Sequence, residues 1–388
     1  MRPVTVIGMP APVPLPDVAL LVGAQRHLST VDSSGAERVV LGDIHRAIDR
    51  IAAHDGPCAV LASGDPGFFG IVRALRAAGL DVEVVPAPSS VAIAFARLGL
   101  PWDDALVVTA HGRSLNPVVN CCRAHPKVAV LTGPGAGPAE LGAALRDVPR
   151  RLVVAERLGQ PDERITETTP EVAAATPWRD PNVVLVLGPH PVAARAGWLA
   201  GNQPGPAGWA LPEGEFAHRD SMITKAEVRA FVLARLGPRL GDLVWDIGAG
   251  SGAVAVECAR FGAAVVAVER DAWACTAIRT NAANHQVELS VVEAVAPHCL
   301  SGLPDPDAAY VGGGGLDVLQ ACAARRPSRL VAGYAAVERV GPALATLRDN
   351  GYRAEGVQLA ASRLTPLPDG THRLAATNPV YVVSGVLA

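Results

Sequence analysis

Asp246, Gly248, Gly250, Gly252 and Glu269 are the residues of this chain whose types and spacing most clearly point to chemistry. An apolar strand, Leu243 to Ile247, runs into Gly248-Ala249-Gly250-Ser251-Gly252 and then into an alanine-rich helix from Ala253 to Arg260. Glycines let the backbone turn sharply and approach a ligand beside a helix N-terminus. A second apolar stretch ends in Glu269, where an acidic residue accepts hydrogen bonds from ribose hydroxyls. Strand, glycine turn, helix, strand and acid make a nucleoside-binding unit.

Gly248, Gly250 and Ala253 also satisfy the dinucleotide fingerprint G-x-G-x-x-G/A, which leaves a NAD-dependent oxidoreductase as a rival reading. Two features point elsewhere. Asp246 ends its strand, where a carboxylate would face a cationic or amine-bearing ligand rather than a pyrophosphate. The chain also closes with two expected strands, 357–364 and 379–385, with no helix between them. The motif D-x-G-x-G-x-G followed by Glu269 resembles the S-adenosylmethionine site of class I methyltransferases, whose sheet closes with such an antiparallel pair.

The 388 residues are too many for one ordinary core, so two domains are expected. Composition is 49% hydrophobic and 18% charged, with a formal net charge of -3. That balance gives no footprint for nucleic acid or an anionic membrane, and so argues against RNA as a target. No apolar run is long enough to span a bilayer, and the first strand begins too early to leave room for a signal peptide. The 7 cysteines are scattered apart from Cys121-Cys122, which suggests reduced thiols in a cytoplasmic protein. The 10 histidines never sit at ligand spacing from Cys or acids, so no metal is expected.

The elements that must carry any site repeat one pattern: a short apolar strand, a loop of small polar residues, then a helix. Strands are expected at 4–8, 18–22, 58–62, 83–85 and 106–109, and helices at 44–53, 68–78 and 91–98. In open α/β sheets, ligands bind at the carboxyl ends of the strands. Those ends carry Gly8, Ser63-Gly64-Asp65-Pro66-Gly67, Ser89-Ser90 and His111-Gly112-Arg113. From Lys127 a second lobe with a mixed sheet follows. Its strands are expected at 128–131, 152–156, 164–168 and 182–187, and its helices at 139–146 and 171–175. Residues 195–212 read as a linker between domains 1–194 and 213–388. That linker should still touch protein, because Trp198, Leu199 and Trp209 are costly to leave in water. Thr224 reads as a helix N-cap with Glu227 as its capping-box partner. Val228, Phe231, Val232 and Leu236 should form the buried face of that helix. A helix at 272–284 and strands at 289–293 and 308–311 follow. The last strand ends in Gly312 to Gly315, glycines whose expected use is close approach of backbone to a bulky ligand.

Ala62-Ser63-Gly64-Asp65-Pro66, Phe69-Gly70-Ile71 and Pro88-Ser89-Ser90 resemble the tetrapyrrole (class III) methyltransferases of cobalamin synthesis. Trp102-Asp103-Asp104, His111-Gly112-Arg113 and Glu156-Arg157-Leu158-Gly159 are similar to the branch of that family that methylates C-5. Ile223-Thr224-Lys225-Ala226-Glu227, Asp246 to Gly252, Pro304-Asp305-Pro306-Asp307 and Val311 to Gly315 resemble its C-15 methyltransferase and decarboxylase partner. The resemblance covers nearly the whole chain. It implies an α/β protein with an N-terminal two-lobed class III fold and a C-terminal class I Rossmann-like fold. It further implies S-adenosylmethionine-dependent methylation of precorrin-6B at C-5 and C-15, with loss of the ring-C acetate carboxyl, to give precorrin-8.

By the same resemblance, Gly64, Asp65, Ser89 and Ser90 line the first cofactor pocket. Asp246, Gly248, Gly250, Gly252 and Glu269 hold the second, with Thr224 closing over it. Gly8, His111, Arg113, Lys225 and Gly312, Gly313 and Gly314 face the tetrapyrrole, and Arg219 and Arg229 are further candidates for its carboxylates. A homo-oligomer is implied as well. No catalytic acid is assigned. Two positions depart from the family. The loop Gly8-Met9-Pro10-Ala11-Pro12 lacks the later glycines of G-x-G-P-G, which keeps open a first half that holds substrate without methylating it. Ala294-Val295 replaces the acid that often faces adenine, so backbone groups are expected there.

Overall fold

The structure is a computed structural model that describes residues 3–10, 15–32, 35–189, 200, 205–219 and 223–388. Three sheets carry it. The first lobe holds β1 (Val4–Met9), β2 (Leu20–Gly23), β3 (Glu37–Val40), β4 (Cys58–Ser63) and β5 (Val82–Val85). They are all parallel, in the order β3-β2-β4-β1-β5. The near-continuous apolar runs of the central β1, β2 and β4 are what strands buried on both faces require, while the edge strands β3 and β5 are largely exposed. Helices α1 (Gln25–Leu28), α2 (Ile44–Ala52) and α3 (Val72–Ala77) belong to this lobe. The third is shorter than expected from 68–78. Phe69 adopts φ 52°, and a Cβ on Gly70 would lie 2.2 Å from the Pro66 carbonyl, so residues 66–70 form a tight turn instead of helix.

Helix α4 (Ser90–Leu98) bridges the lobes: Val91, Ala94 and Phe95 pack with Ala129, Val153 and Leu185 of the second sheet. That sheet is mixed, as expected. Its strands β6 (Leu106–Thr109), β7 (Lys127–Leu131), β8 (Arg151–Glu156), β9 (Arg164–Thr168) and β10 (Asn182–Leu187) run in the order β6-β7-β10-β8-β9. It is flanked by α5 (Leu115–Ala124), α6 (Pro138–Ala144) and α7 (Pro170–Ala175). Helix α5 was not expected. Pro117 falls within its first turn, where a missing N–H is tolerated, and Val118, Val119, Cys121 and Cys122 are buried. The same helix meets the third sheet's domain: Asn120 Nδ2 donates to the Gly241 carbonyl at 3.0 Å, and beyond it Arg150 pairs with Glu288.

The C-terminal domain opens with α8 (Ala226–Leu236), β11 (Leu243–Ile247), α9 (Ala253–Arg260), β12 (Ala264–Glu269), α10 (Ala272–Asn284) and β13 (Ser290–Glu293). It continues with β14 (Ala308–Val311), α11 (Leu316–Ala324), β15 (Arg329–Tyr334), α12 (Val340–Asp349) and β16 (Tyr352–Leu359). A hairpin of β17 (Ser362–Pro366) and β18 (His372–Ala376) precedes the last strand, β19 (Val380–Leu387). The sheet order is β13-β12-β11-β14-β15-β19-β16, with β19 antiparallel to both neighbours. The antiparallel closure is as expected, but the strand expected at 357–364 straddles β16 and β17. The contacts to the N-terminal half involve Gly241, Glu288 and Asp307, at the amino ends of β11, β13 and β14. The carboxyl ends of this sheet are therefore left free for ligand.

Three local expectations are corrected. The N-cap of α8 is Lys225, not Thr224, and Glu227 is bound by Arg363 Nε at 2.8 Å rather than closing a capping box. Arg229, offered as a substrate contact, is fully buried. Its guanidinium donates to Glu257 and to the carbonyls of Thr224 and Leu211, and lies 4.9 Å from the Phe216 ring. Trp209 is 58% exposed rather than covered, with its ring 6.1 Å from that of Phe261. Trp198 and Leu199 lie outside the described residues, as does half of the expected linker.

Candidate functional site

Strand β11 is buried along its whole length and delivers Asp246 and Gly248 to the carboxyl edge of the third sheet. Gly248, Gly250 and Gly252 have φ of 72°, 56° and 74°, the left-handed region that glycine enters without steric cost. Each is glycine for a second reason. A Cβ on Gly248 would lie 2.6 Å from Gly313 Cα, and one on Gly252 would lie 2.8 Å from Ile278 Cγ1, whereas one on Gly250 would meet nothing within 4 Å. Two of these glycines serve packing, and the middle one leaves room for a ligand.

Glu269 ends β12 with its carboxylate fixed by three backbone amides: Gly250 at 2.9 Å, Arg270 at 2.8 Å and Asp271 at 3.0 Å. A carboxylate with two oxygens still has accepting capacity for a diol. It lines a cavity of about 230 Å³ together with Gly248, Val295, Gly313 and Gly314. Ala294 and Ala296 also line it, and the Ala294 amide is already used, donating to the Glu269 carbonyl at 3.0 Å. Val295, 53% exposed, offers an apolar wall where an acid is often found.

Asp246 is 1% exposed. Its Oδ2 accepts from the Ala255 amide at 2.9 Å, and its Oδ1 is buried without a hydrogen-bond partner among the described residues. Burial pushes its carboxyl up to about 7, the Ala255 hydrogen bond opposing and the Glu269 charge adding. A buried acceptor without a partner is costly to leave unsatisfied.

Gly312 and Gly313 both donate to the Ile247 carbonyl, at 2.9 and 3.2 Å. Their first use is therefore internal: this loop packs backbone to backbone against Gly248, and a Cβ on Gly312 would strike Tyr310 at 2.8 Å. The other side of the loop opens on a second cavity of about 300 Å³, lined by Gly312, Gly313, Gly314, Gly333, Tyr334 and Arg339, among others. The two cavities share the Gly313–Gly314 wall. Thr224, freed from capping, hydrogen-bonds through its hydroxyl to the buried Tyr310 phenol behind this loop, and Lys225 follows it, half-buried. Tyr334 and Arg339 were missed in the sequence. The apolar run Leu330 to Tyr334 was the available signal for a strand ending at the site.

In the first lobe, the loops after β1, β4 and β5 converge. A Cβ on Gly8 would lie 2.6 Å from the Gly64 carbonyl and 2.7 Å from Ala87, and one on Gly64 would lie 3.3 Å from the Ser90 amide. The Gly64 amide donates to the Met9 carbonyl at 3.0 Å. The structure thus brings Gly8, Gly64 and Ser90 together. Ser89 spends its hydroxyl on the Ala92 amide as the α4 cap, at 3.1 Å, and Asp65 accepts from the Gly67 amide at 2.8 Å. Ser63 Oγ, on the same loop, meets Arg26 at 2.7 Å and His27 at 2.8 Å. His111 and Arg113 are exposed on the loop after β6, beside Gly133, and no hydrogen bond or ion pair joins them to the Gly8 cluster among the described residues. Residues 11–14 of the loop after Gly8 lie outside the described residues.

Residues 15–173 match the tetrapyrrole (corrin/porphyrin) methylases, and residues 215–383 match the precorrin methyltransferase domain. The precorrin-6Y C(5,15)-methyltransferase (decarboxylating) of Sinorhizobium is 37% identical over 335 residues, 81% of this chain and 78% of that one. The cobalt-precorrin-7 C(5)-methyltransferase of Salmonella typhimurium is 38% identical over 154 residues, 37% of this chain and 75% of that one. A probable cobalt-precorrin-6B C(15)-methyltransferase (decarboxylating) of Pyrobaculum calidifontis is 32% identical over 184 residues, 45% of this chain and 94% of that one. With both domain families matched in this order and that relative covering most of both chains, the chain belongs to the precorrin-6Y C(5,15)-methyltransferase (decarboxylating) family.

Proposed function

We propose that this protein methylates the reduced tetrapyrrole precorrin-6B at C-5 and C-15 and removes the ring-C acetate carboxyl as carbon dioxide, giving precorrin-8 in cobalamin synthesis. The first half (1–194) methylates C-5, and the second (213–388) decarboxylates and methylates C-15. The observation that carries this reading is the pair of adjoining cavities at the carboxyl edge of the third sheet, separated by backbone alone at Gly313–Gly314. Relatives named for C(5) and for C(15) methylation support the division of labour.

The residues of the second site fit S-adenosylmethionine. The unpartnered Asp246 Oδ1 suits a cationic amine or sulfonium, Glu269 a ribose diol, and the open face of Gly250 a close ligand. When bound, that cofactor supplies an electrophilic methyl group and a neutral leaving group. A reduced tetrapyrrole is enamine-like at its meso carbons and brings its own nucleophile, so the chain has little covalent work to do. Its glycine walls let two large molecules meet through a thin partition, and its apolar surfaces exclude water. Positioning of this kind supplies several kcal/mol of barrier lowering, on the order of 7–11 where alignment is complete. In the first half, Gly8, Gly64 and Ser90 would form the matching cradle, with Asp65 and Ser89 fixing its loops.

The partner is a small molecule. The net charge of -3 offers no basic surface for nucleic acid, and no described helix is long and apolar enough to cross a membrane. A cytoplasmic homo-oligomer belongs to this reading. Titration of the full chain with S-adenosylhomocysteine in a calorimeter is expected to give two sites per chain. A single site would remove one half from the assignment.

A further inference from the structure

A polycarboxylate substrate needs a cation to seat it, and the second cavity has one charged residue on its walls. Resting on the function proposed above, we infer that Arg339 binds a carboxylate of the tetrapyrrole that the reaction leaves in place. It thereby sets the register of the macrocycle against the wall shared with the cofactor cavity. The other residues lining this cavity are glycines, alanines, a valine and a tyrosine. Arg339 is exposed, so a ligand entering the cavity can reach its guanidinium.

The position is not one that the fold itself rewards. Arg339 ends the single 3-10 turn Val337–Arg339 and occupies the N-cap of α12. A helix N-terminus carries partial positive charge and is stabilised by an acid, so a cation there gains nothing from the helix. Its side chain makes one hydrogen bond among the described residues, from Nη1 to the Gly314 carbonyl at 3.1 Å. No carboxylate pairs with it among them. Gly314 walls both cavities, so this bond anchors the guanidinium at the partition between cofactor and substrate. The remaining N–H groups of the fork suit a carboxylate, which they can bind through two charge-assisted hydrogen bonds.

Chemistry decides which carboxylate that is. In the decarboxylation the bond from the acetate methylene to its carboxyl carbon breaks and carbon dioxide leaves. The electron pair passes into the macrocycle, and a solvent-derived proton later completes a methyl group. The departing carboxylate thus gives up its charge on the way to the transition state. A cation bound to it would stabilise the ground state more than the transition state and slow the step. Arg339 therefore serves a carboxylate that survives into the product.

The test compares the full wild-type chain with Arg339→Gln and Arg339→Lys, using precorrin-6B and S-adenosylmethionine. In Arg339→Gln the KM for precorrin-6B in carbon dioxide release is expected to rise on the order of 10–100-fold while kcat is kept. Affinity for the product precorrin-8 should fall by a similar factor, and Arg339→Lys should restore part of both. S-adenosylhomocysteine affinity and the thermal midpoint should stay as in the wild type. An unchanged KM would overturn the assignment. A weaker KM with undiminished product affinity would also overturn it, because the guanidinium would then hold the departing carboxylate. A parallel loss of S-adenosylhomocysteine affinity and thermal midpoint would reduce Arg339 to a prop for the Gly314 loop. If the wild-type chain bound the cofactor but released no carbon dioxide, the functional reading itself would fail, and this inference with it.

Discussion

Gly248→Val is expected to leave the chain with one cofactor site instead of two. The residue sits at φ 72°, where a β-branched side chain is strained, and its Cβ would lie 2.6 Å from the Gly313 backbone. Neither loop can yield without shifting a wall of both cavities, since Gly312 and Gly313 are tied to the Ile247 carbonyl. A misplacement of about 1 Å at a site of this kind costs on the order of 100-fold in rate. We therefore expect C-15 methylation and decarboxylation to fall at least about 100-fold. Calorimetry should show the first-lobe site binding S-adenosylhomocysteine as before. Two intact sites in the variant would show that the Gly248–Gly313 contact does not shape the pocket.

The second large effect is a pH dependence centred on Asp246. Burial holds its proton in the folded chain up to about pH 7. In the unfolded chain the same carboxyl ionises near its ordinary value of about 3.9. Between those two values the folded state binds more protons, so stability falls as pH rises and the loss is complete above the folded pKa. The loss attributable to this one group is on the order of 4 kcal/mol. Asp246→Asn has no charge to bury, so the difference in unfolding free energy between the two chains should open in favour of the variant from about pH 4 to pH 7 and then level off. Ligand binding should move the opposite way. A cation beside Oδ1 favours the carboxylate, so wild-type S-adenosylmethionine affinity at this site should rise with pH up to about 7, and the variant's should be weaker and flat. Parallel stability curves for the two chains would contradict the assignment of Asp246 as a buried counter-charge.

The parts of this site that were legible in the sequence are those that steric and periodic rules enforce. Gly248, Gly250 and Gly252 had to be glycine for their backbone conformations, and Glu269 had to end its strand. The helix-free chain end indicated an antiparallel closure, although the β17–β18 hairpin within it left no periodic signal that separated it from its neighbours. What stayed hidden depends on tertiary partners. The composition around Arg229 reads as a solvated helix face, and only the fold shows Glu257 and two carbonyls enclosing it. Thr224 matched a capping box, yet its hydroxyl meets Tyr310, and Arg363, far along the chain, binds Glu227. The four glycines at 312–315 suggested ligand approach, and the fold adds a prior reason, the contact with Gly248. Tyr334 carries no motif at all. Only the fold shows it at the end of β15 with its ring in the core and a hydroxyl that has no hydrogen-bond partner among the described residues.

The measurement that tests the central claim most directly is mass spectrometry of precorrin-6B after incubation with the pure full-length chain and S-adenosylmethionine. Two methyl groups gained and one carbon dioxide lost is the expected result. One methyl gained with the decarboxylation would show that the first half, with its altered loop after Gly8, holds substrate without methylating it. An unchanged mass, with cofactor binding demonstrated in the same sample, would contradict the tetrapyrrole assignment.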